Sequence, residues 1–287
     1  LLQRCSDRRE AANGLKALWL VNGRETGVDP ADRGLAYGDG LFETMAAVDG
    51  RIRWLDYHFE RLERGCRRLA IEAPDRGLVR AEIDAKSPRS GRAIVKLIVT
   101  RGPGERGYRP PDAPKPTRIL GFLAWPEYPE SHYADGIRMR VCALRLGVSP
   151  ALADLKHLCR LEQVLAHAEL RGHDVEQGLL LDTTERVVGG SSSNVFAVRG
   201  DELLTPAVTR NGIAGVMRRV VLETAAHVGL VPREADLTLR DLTDADELFV
   251  TNALIGIWPV AQLDERAFAR GPATVRLMRH LGYGGDA

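Results

Sequence analysis

Two rhythms of apolar residues run through this chain, one of period two and one of period three to four, and their succession lays out the elements. LWLV (18–21) is a short apolar run ending at Asn22-Gly23, which predicts a strand and a turn. The glycine-rich segment DRGLAYGDG (32–40) leads into the apolar stretch LFETMAAV, and Asp49-Gly50 predicts a hairpin into RIRWL. From Asp56, a residue able to cap a helix, Phe59, Leu62, Cys66 and Leu69 recur at helical spacing. AIVKLIVT (93–100) and ILGFLAW (119–125) read as buried strands joined by a proline-rich loop at 108–116.

PEYPESHY (126–133) is polar and proline-bearing, so the link between domains is placed there. It divides a small N-terminal α/β domain at 18–125 from a larger C-terminal one at 134–287. IRMRVCAL then alternates as a strand, with Ile137, Met139, Val141 and Ala143 on one face. Residues 156–171 carry the clearest helical pattern, with Leu158, Leu161, Val164 or Leu165, and Ala168 inward and Gly172 as the stop. Strands are expected at 178–182, 194–198 and 247–251, and helices at 214–228 and 272–281. Interspersed strands and helices without an internal repeat predict an α/β (α+β) architecture.

Composition narrows the class. The 287 residues are 44% hydrophobic, enough for a core, with a formal net charge of +1. That balance leaves no global field to draw nucleic acid or a membrane surface. No apolar run approaches the roughly 20 residues of a membrane span. Residues 1–17 are polar and read as an extension, disordered or loosely attached. Cys5, Cys66, Cys142 and Cys159 are widely spaced, which suits reduced thiols in a cytoplasmic protein better than a disulfide framework or a zinc site.

Several motifs lead nowhere. Gly102 to Gly107 (GPGERG) satisfies G-x-G-x-x-G, but Tyr108-Arg109-Pro110-Pro111 follows, where a dinucleotide site needs a helix to begin. The seven histidines show no metal-ligand spacing, so no metal is expected. Ser191-Ser192-Ser193 lacks the elbow of a serine hydrolase.

Only five of the 40 basic residues are lysines: Lys16, Lys86, Lys96, Lys115 and Lys156. Lys16 lies in the extension, Lys86 precedes Ser87-Pro88 and Lys115 sits between prolines, both in expected loops. Lys96 falls mid-strand among Ile and Val, and Lys156 at an expected helix start. A lysine that attacks a carbonyl must lose its proton, which burial or a cationic neighbour favours. Position alone leaves both that role and an ordinary snorkelling or ion-paired lysine open. An anion cradle is available at Asn211-Gly212-Ile213-Ala214-Gly215, leading into a helix, and at Thr251-Asn252-Ala253, ending a strand. Arg61, on the inner half of its helix, could add a bidentate clamp.

The order of the motifs then carries a resemblance. DRGLAYGDGLFET, the H-x-x-R-L of His58 to Leu62, VTRGPGERGY (99–108), LKHLCRLEQVLAHAEL (155–170), SSNVF (192–196), NGIAGVMRR (211–219) and ELFVTNALIGIWPV (247–260) occur in sequence. Together they resemble the class IV (fold-type IV) pyridoxal-phosphate enzymes. The 155–165 segment is most similar to the 4-amino-4-deoxychorismate lyase branch.

The resemblance implies a two-domain subunit with pyridoxal 5'-phosphate between the domains, acting as a homodimer. It implies Lys156 as Schiff base and proton carrier. Arg61, the backbone at Ile213 and Ala214, Thr251 and Asn252 would hold the phosphate. Lys96, Arg106 and Asn252 would face the carboxylates of a dianionic small-molecule substrate. That substrate would come from an aminodeoxychorismate synthase and leave as 4-aminobenzoate and pyruvate, a step toward folate. A branched-chain or D-amino-acid aminotransferase of the same fold, or a cofactor-binding protein of low activity, are the alternatives.

Two positions depart from the family pattern. Gly189 stands where members commonly place the glutamate that keeps the pyridine nitrogen protonated, and Glu185 is expected in the preceding turn. Cys159 stands where the lyase pattern has Asn, and is read as a tolerated small residue.

Overall fold

The structure, a computed structural model, describes residues 17–283. The N-terminal extension, with Cys5 and Lys16, falls outside these residues except for Ala17. The chain forms two compact units: residues up to Glu127 together with His157–Cys159, and Tyr128–Lys156 together with Arg160 onward.

The first unit runs β1 (Leu18–Val21), α1 (Arg33–Tyr37), β2 (Gly40–Val48), β3 (Arg51–Ile52), α2 (Leu55–Leu69), α3 (Arg76–Lys86), β4 (Arg92–Thr100) and β5 (Thr117–Ala124). Its five strands pair antiparallel in the order β1-β5-β4-β2-β3. Along β4 the buried residues alternate as Ala93, Val95, Leu97 and Val99, as a strand with one covered face requires. From α2 the core takes Phe59, Leu62 and Cys66, and from α3 Val79 and Ile83. The hairpin at Asp49-Gly50 has both residues at positive φ, 48° and 76°, as a tight two-residue turn demands. Asp56 is not the cap of α2. The helix begins one residue earlier, after Trp54 at φ 59°, and Asp56 lies in the first turn.

The second unit holds α4 (Ser131–Ala134), β6 (Ile137–Leu146), α5 (Leu161–Glu169), β7 (Gln177–Asp182), β8 (Val187–Gly190), β9 (Asn194–Arg199), β10 (Glu202–Pro206) and α6 (Val216–Thr224). It continues with β11 (Val231–Ala235), α7 (Leu239–Thr243), β12 (Glu247–Asn252), β13 (Gly256–Leu263), β14 (Arg266–Ala267) and α8 (Pro272–His280). Its strands follow the order β11-β10-β9-β12-β13-β6-β7-β8, with β14 paired to β13. The pairs β10–β11, β13–β6 and β6–β7 are parallel and the rest antiparallel, giving a mixed sheet. Within the segment expected as the link, Tyr128 and Tyr133 pack against the Trp258 ring in this unit's core.

The structure overturns two further expectations. The single inward face of β6 does not hold. Ile137 and Met139 are buried, but so are Cys142 and Leu146, while Ala143 is exposed. The pairing with β7 shifts register between Val141 and Arg145, and such a slip exchanges the inward and outward positions.

The helix expected at 156–171 begins only at Leu161. Ahead of it, Asp154 stands at φ 66° and Leu158 donates its amide to the Gly40 carbonyl. The backbone bonds of this stretch therefore run to other segments rather than up a helix. The helix also turns the other way. Ala166 is its buried residue, while Leu161, Val164 and Leu165 are 77%, 61% and 55% exposed. Among the described residues no helix is long and apolar enough to cross a membrane.

Candidate active site

In the second unit, Lys156 lies outside any helix or strand, in a segment fixed at its N-terminal side. The Asp154 amide donates to Gly212 O and the Ala214 amide donates to Asp154 O, both at 3.1 Å, so Asp154 and Ile213 form a parallel bridge. Lys156 is thus held two residues from the turn that opens α6. That helix starts at Val216 behind Gly215, with no side chain capping its amides. A helix opened in this way offers N–H groups and positive dipole to an anion.

The strand end expected at 251–252 borders the same turn. Thr251 of β12 pairs with Asn194 of β9, and Asn194 Nδ2 donates to Ile213 O at 2.9 Å. Thr251 is fully buried, its hydroxyl donating to Gly256 O at 2.6 Å. Asn252 Nδ2 donates to Ser192 O at 3.1 Å, and its Oδ1 accepts from the amides of Leu254 and Ile255. The side chain of Asn252 therefore shapes the β12–β13 turn, and the Ala214 amide is engaged by Asp154. Asn211 Nδ2, at the start of the turn, is buried without a protein partner. The uncapped amides opening α6 and the unpartnered Asn211 carboxamide, with Lys156 two residues from the bridge, suit a phosphate ester attached beside an amine-reactive carbonyl, and hence the cofactor the resemblance implies.

In the first unit, Arg61 is buried under the sheet and not on the surface. Its Nε and Nη2 donate to Glu43 Oε1 and Oε2 at 2.8 and 2.5 Å, and His58 Nδ1 lies 2.6 Å from Oε2. Burial pushes the Glu43 carboxyl up, but Arg61 and His58 more than offset this and hold it at about 2. Glu43 was not anticipated as a site residue. Its signal was available, since it takes the inward parity between Leu41 and Met45.

Lys96 points to the other face of that sheet. It pairs with Thr44 and Gly121, while Glu43 pairs with Leu97 on the buried face, and its Nζ stands 5.3 Å from the Phe42 ring centroid. Arg106 is exposed on the loop after β4. Buried Arg33 fixes that loop by donating to the carbonyls of Gly107 and Tyr108 at 2.9 and 3.0 Å and to Asp39 at 2.9 Å. Nothing in the local pattern distinguishes Arg33 from the chain's other arginines. The G-x-G-x-x-G segment is this same loop. A Cβ at Gly102 would stand 1.8 Å from the Lys115 carbonyl oxygen, so glycine there permits two backbone segments to approach.

Gly189 lies in β8, and a Cβ on it would stand 2.9 Å from the Ser193 carbonyl oxygen. Glu185 occupies the turn before β8 and pairs with Arg145 at 2.8 Å. Gln177 and the serines fill the neighbouring space, with Gln177 Nε2 donating to Ser192 Oγ and Ser193 Oγ donating to Gln177 Oε1, both at 3.0 Å. Cys159 packs its Sγ beside Gly38 in the first unit, as a small exposed residue.

Comparison with known proteins identifies the family. The family model for amino-transferase class IV matches residues 40–263. An aminodeoxychorismate lyase of Vibrio harveyi is 35% identical over 269 residues, covering 92% of this chain and 99% of that one. A putative branched-chain-amino-acid aminotransferase of Methanocaldococcus jannaschii is 35% identical over 251 residues, 86% of each chain. The crystal structure of 4-amino-4-deoxychorismate lyase from Pseudomonas aeruginosa matches with a TM-score of 0.87 at 46% identity, covering 92% of this chain and 98% of that one. With a matching family model over most of its length and near-full-length relatives, this chain belongs to the class IV aminotransferase family.

Proposed function

We propose that this protein is a pyridoxal-phosphate-dependent aminodeoxychorismate lyase, which converts 4-amino-4-deoxychorismate to 4-aminobenzoate and pyruvate. The observation that carries the reading is the backbone bridge joining the Lys156 segment to the turn before α6. It supports this reading because it ties the backbone two residues before Lys156 to a helix start able to take an anion. The lyases of Vibrio harveyi and Pseudomonas aeruginosa supply the choice of reaction within the family.

In this reading Lys156 carries the cofactor covalently. The turn at Ile213 and Ala214 and the strand end at Thr251 and Asn252 hold its phosphate, and the family resemblance adds Arg61 to that set. When bound, the cofactor supplies an electron-withdrawing ring conjugated to the substrate's nitrogen. The amine of Lys156, freed once the substrate's own amine takes its place, would remove the proton at C4 of the substrate as the ether bond to the enolpyruvyl group breaks, and would return a proton to the departing pyruvate. Lys96, Arg106 and Asn252 orient the two carboxylates, which makes use of fixed cations against a dianion.

The protein acts as a homodimer in the cytoplasm, fed by an aminodeoxychorismate synthase. The exposed apolar face of α5 supports association, and the free thiols of Cys66, Cys142 and Cys159 suit a reducing compartment. The test is direct. Purified protein is given aminodeoxychorismate and, separately, an amino-acid and keto-acid pair. Formation of 4-aminobenzoate supports the lyase, and amino transfer supports the aminotransferase reading that the Methanocaldococcus relative favours. A colourless protein that takes up no pyridoxal phosphate, or an unchanged colour in Lys156→Ala, overturns both.

A further inference from the structure

Asn194 and Gly215 meet at a point to which the reaction scheme assigns no role. Asn194 Nδ2 donates to Ile213 O at 2.9 Å. Its Oδ1 lies 2.0 Å from where a Cβ on Gly215 would stand. Gly215 has φ −61°, a conformation open to any residue, so the neighbouring carboxamide and not the backbone excludes a side chain there. One side chain therefore braces both ends of the Ile213–Gly215 turn. From the opposite side the Asp154 carbonyl holds the Ala214 amide. Asn194 is itself fixed in the sheet by its pairing with Thr251.

We infer that Asn194 is a positioning residue for phosphate, aiming the backbone amides that open α6. The inference rests on the pyridoxal-phosphate reading above. Hydrogen bonds weaken steeply as the donor turns away from its acceptor, so amides that grip an anion must be held in direction. This turn contains Gly212, at φ 84°, and Gly215, and glycine leaves the backbone unusually free. Asn194 removes that freedom without touching the anion. Its carboxamide can donate to one carbonyl and abut one Cα at once, which neither Asp nor Ala at this position can do.

The experiment compares wild type with N194A, N194D, G215A and the double variant N194A/G215A. Each is titrated with pyridoxal phosphate and with pyridoxal, which lacks the phosphate, by visible absorbance, alongside the thermal midpoint. We expect N194A and N194D to bind pyridoxal phosphate at least about tenfold more weakly, while pyridoxal binding moves by less than about twofold. G215A produces the same phosphate-specific loss in wild type. It adds little in N194A, because the atom it would strike is gone. Should N194A fail to fold, G215A carries the same readout. Equal losses for both ligands, a fall in thermal midpoint alone, or a G215A effect that adds in full to N194A overturns the assignment. A wild-type protein that binds neither ligand overturns the cofactor reading, and this inference with it.

Discussion

The amide of Ala214 donates to the carbonyl of Asp154 at 3.1 Å, joining two residues that lie 60 positions apart. Asp154 makes this bond from φ 66°, in the left-handed region that β-branched residues avoid. We expect Asp154→Val to be less stable than Asp154→Gly by about 1–2 kcal/mol in denaturant unfolding. Covalent uptake of pyridoxal phosphate at Lys156 should slow in the valine variant only. Equal stability of the two variants would show that the left-handed backbone is not retained.

Glu43 should dominate the acid stability of the first unit. Its carboxyl is held at about 2 in the folded protein, below its ordinary value of 4.5. The stabilisation is complete above pH 4.5 and is lost as pH falls toward 2. A shift of that size corresponds to a contribution on the order of 3 kcal/mol. Glu43→Gln removes the charge that the buried Arg61 guanidinium pairs with and should lose a similar amount at pH 7. Urea unfolding of both proteins across acid pH checks this, because the variant must lack the wild-type slope in that window.

Gly189→Glu is expected to cost stability and not to raise lyase activity. The new Cβ must push against the Ser193 carbonyl oxygen, 2.9 Å away, and such crowding typically costs about 1–3 kcal/mol. Gly189→Ala should show the same loss, which isolates the steric part from the charge. Elimination here gains an aromatic ring, which lessens its need for a protonated pyridine nitrogen. A large rise in the lyase rate of Gly189→Glu would refute that argument.

Val164→Asp should turn the proposed dimer into a monomer. Val164 lies 61% exposed on α5 between Leu161 and Leu165, so a charge there costs little in an isolated chain and much in a covered interface. Light scattering of wild type and variant after size exclusion gives the answer. A wild-type monomer, or a variant of unchanged mass, removes α5 from the interface.

What could be read from the sequence was what depends on near neighbours. Period two marks β4 and the period of the helix marks α2, because each residue's burial there follows from positions two to four away. The Asp49-Gly50 hairpin was legible for the same reason. The scarcity of lysine narrowed the reactive amine to Lys96 and Lys156, and the order of the motifs identified the family. Tertiary structure decided the rest. The apolar stripe of 161–168 reads as an inward helix face, yet Ala166 is the residue that packs and the stripe faces out. Lys156 reads as a helix start, yet bonds from Asp154 to Gly212 and Ala214, and from Leu158 to Gly40, take the place of helical ones in its stretch. Asn194, Glu43 and Arg33 carry no local mark of their partners, which come from distant segments. Sequence periodicity reports which face of an element is apolar, whereas only the assembled fold supplies the partners for its backbone and buried polar groups.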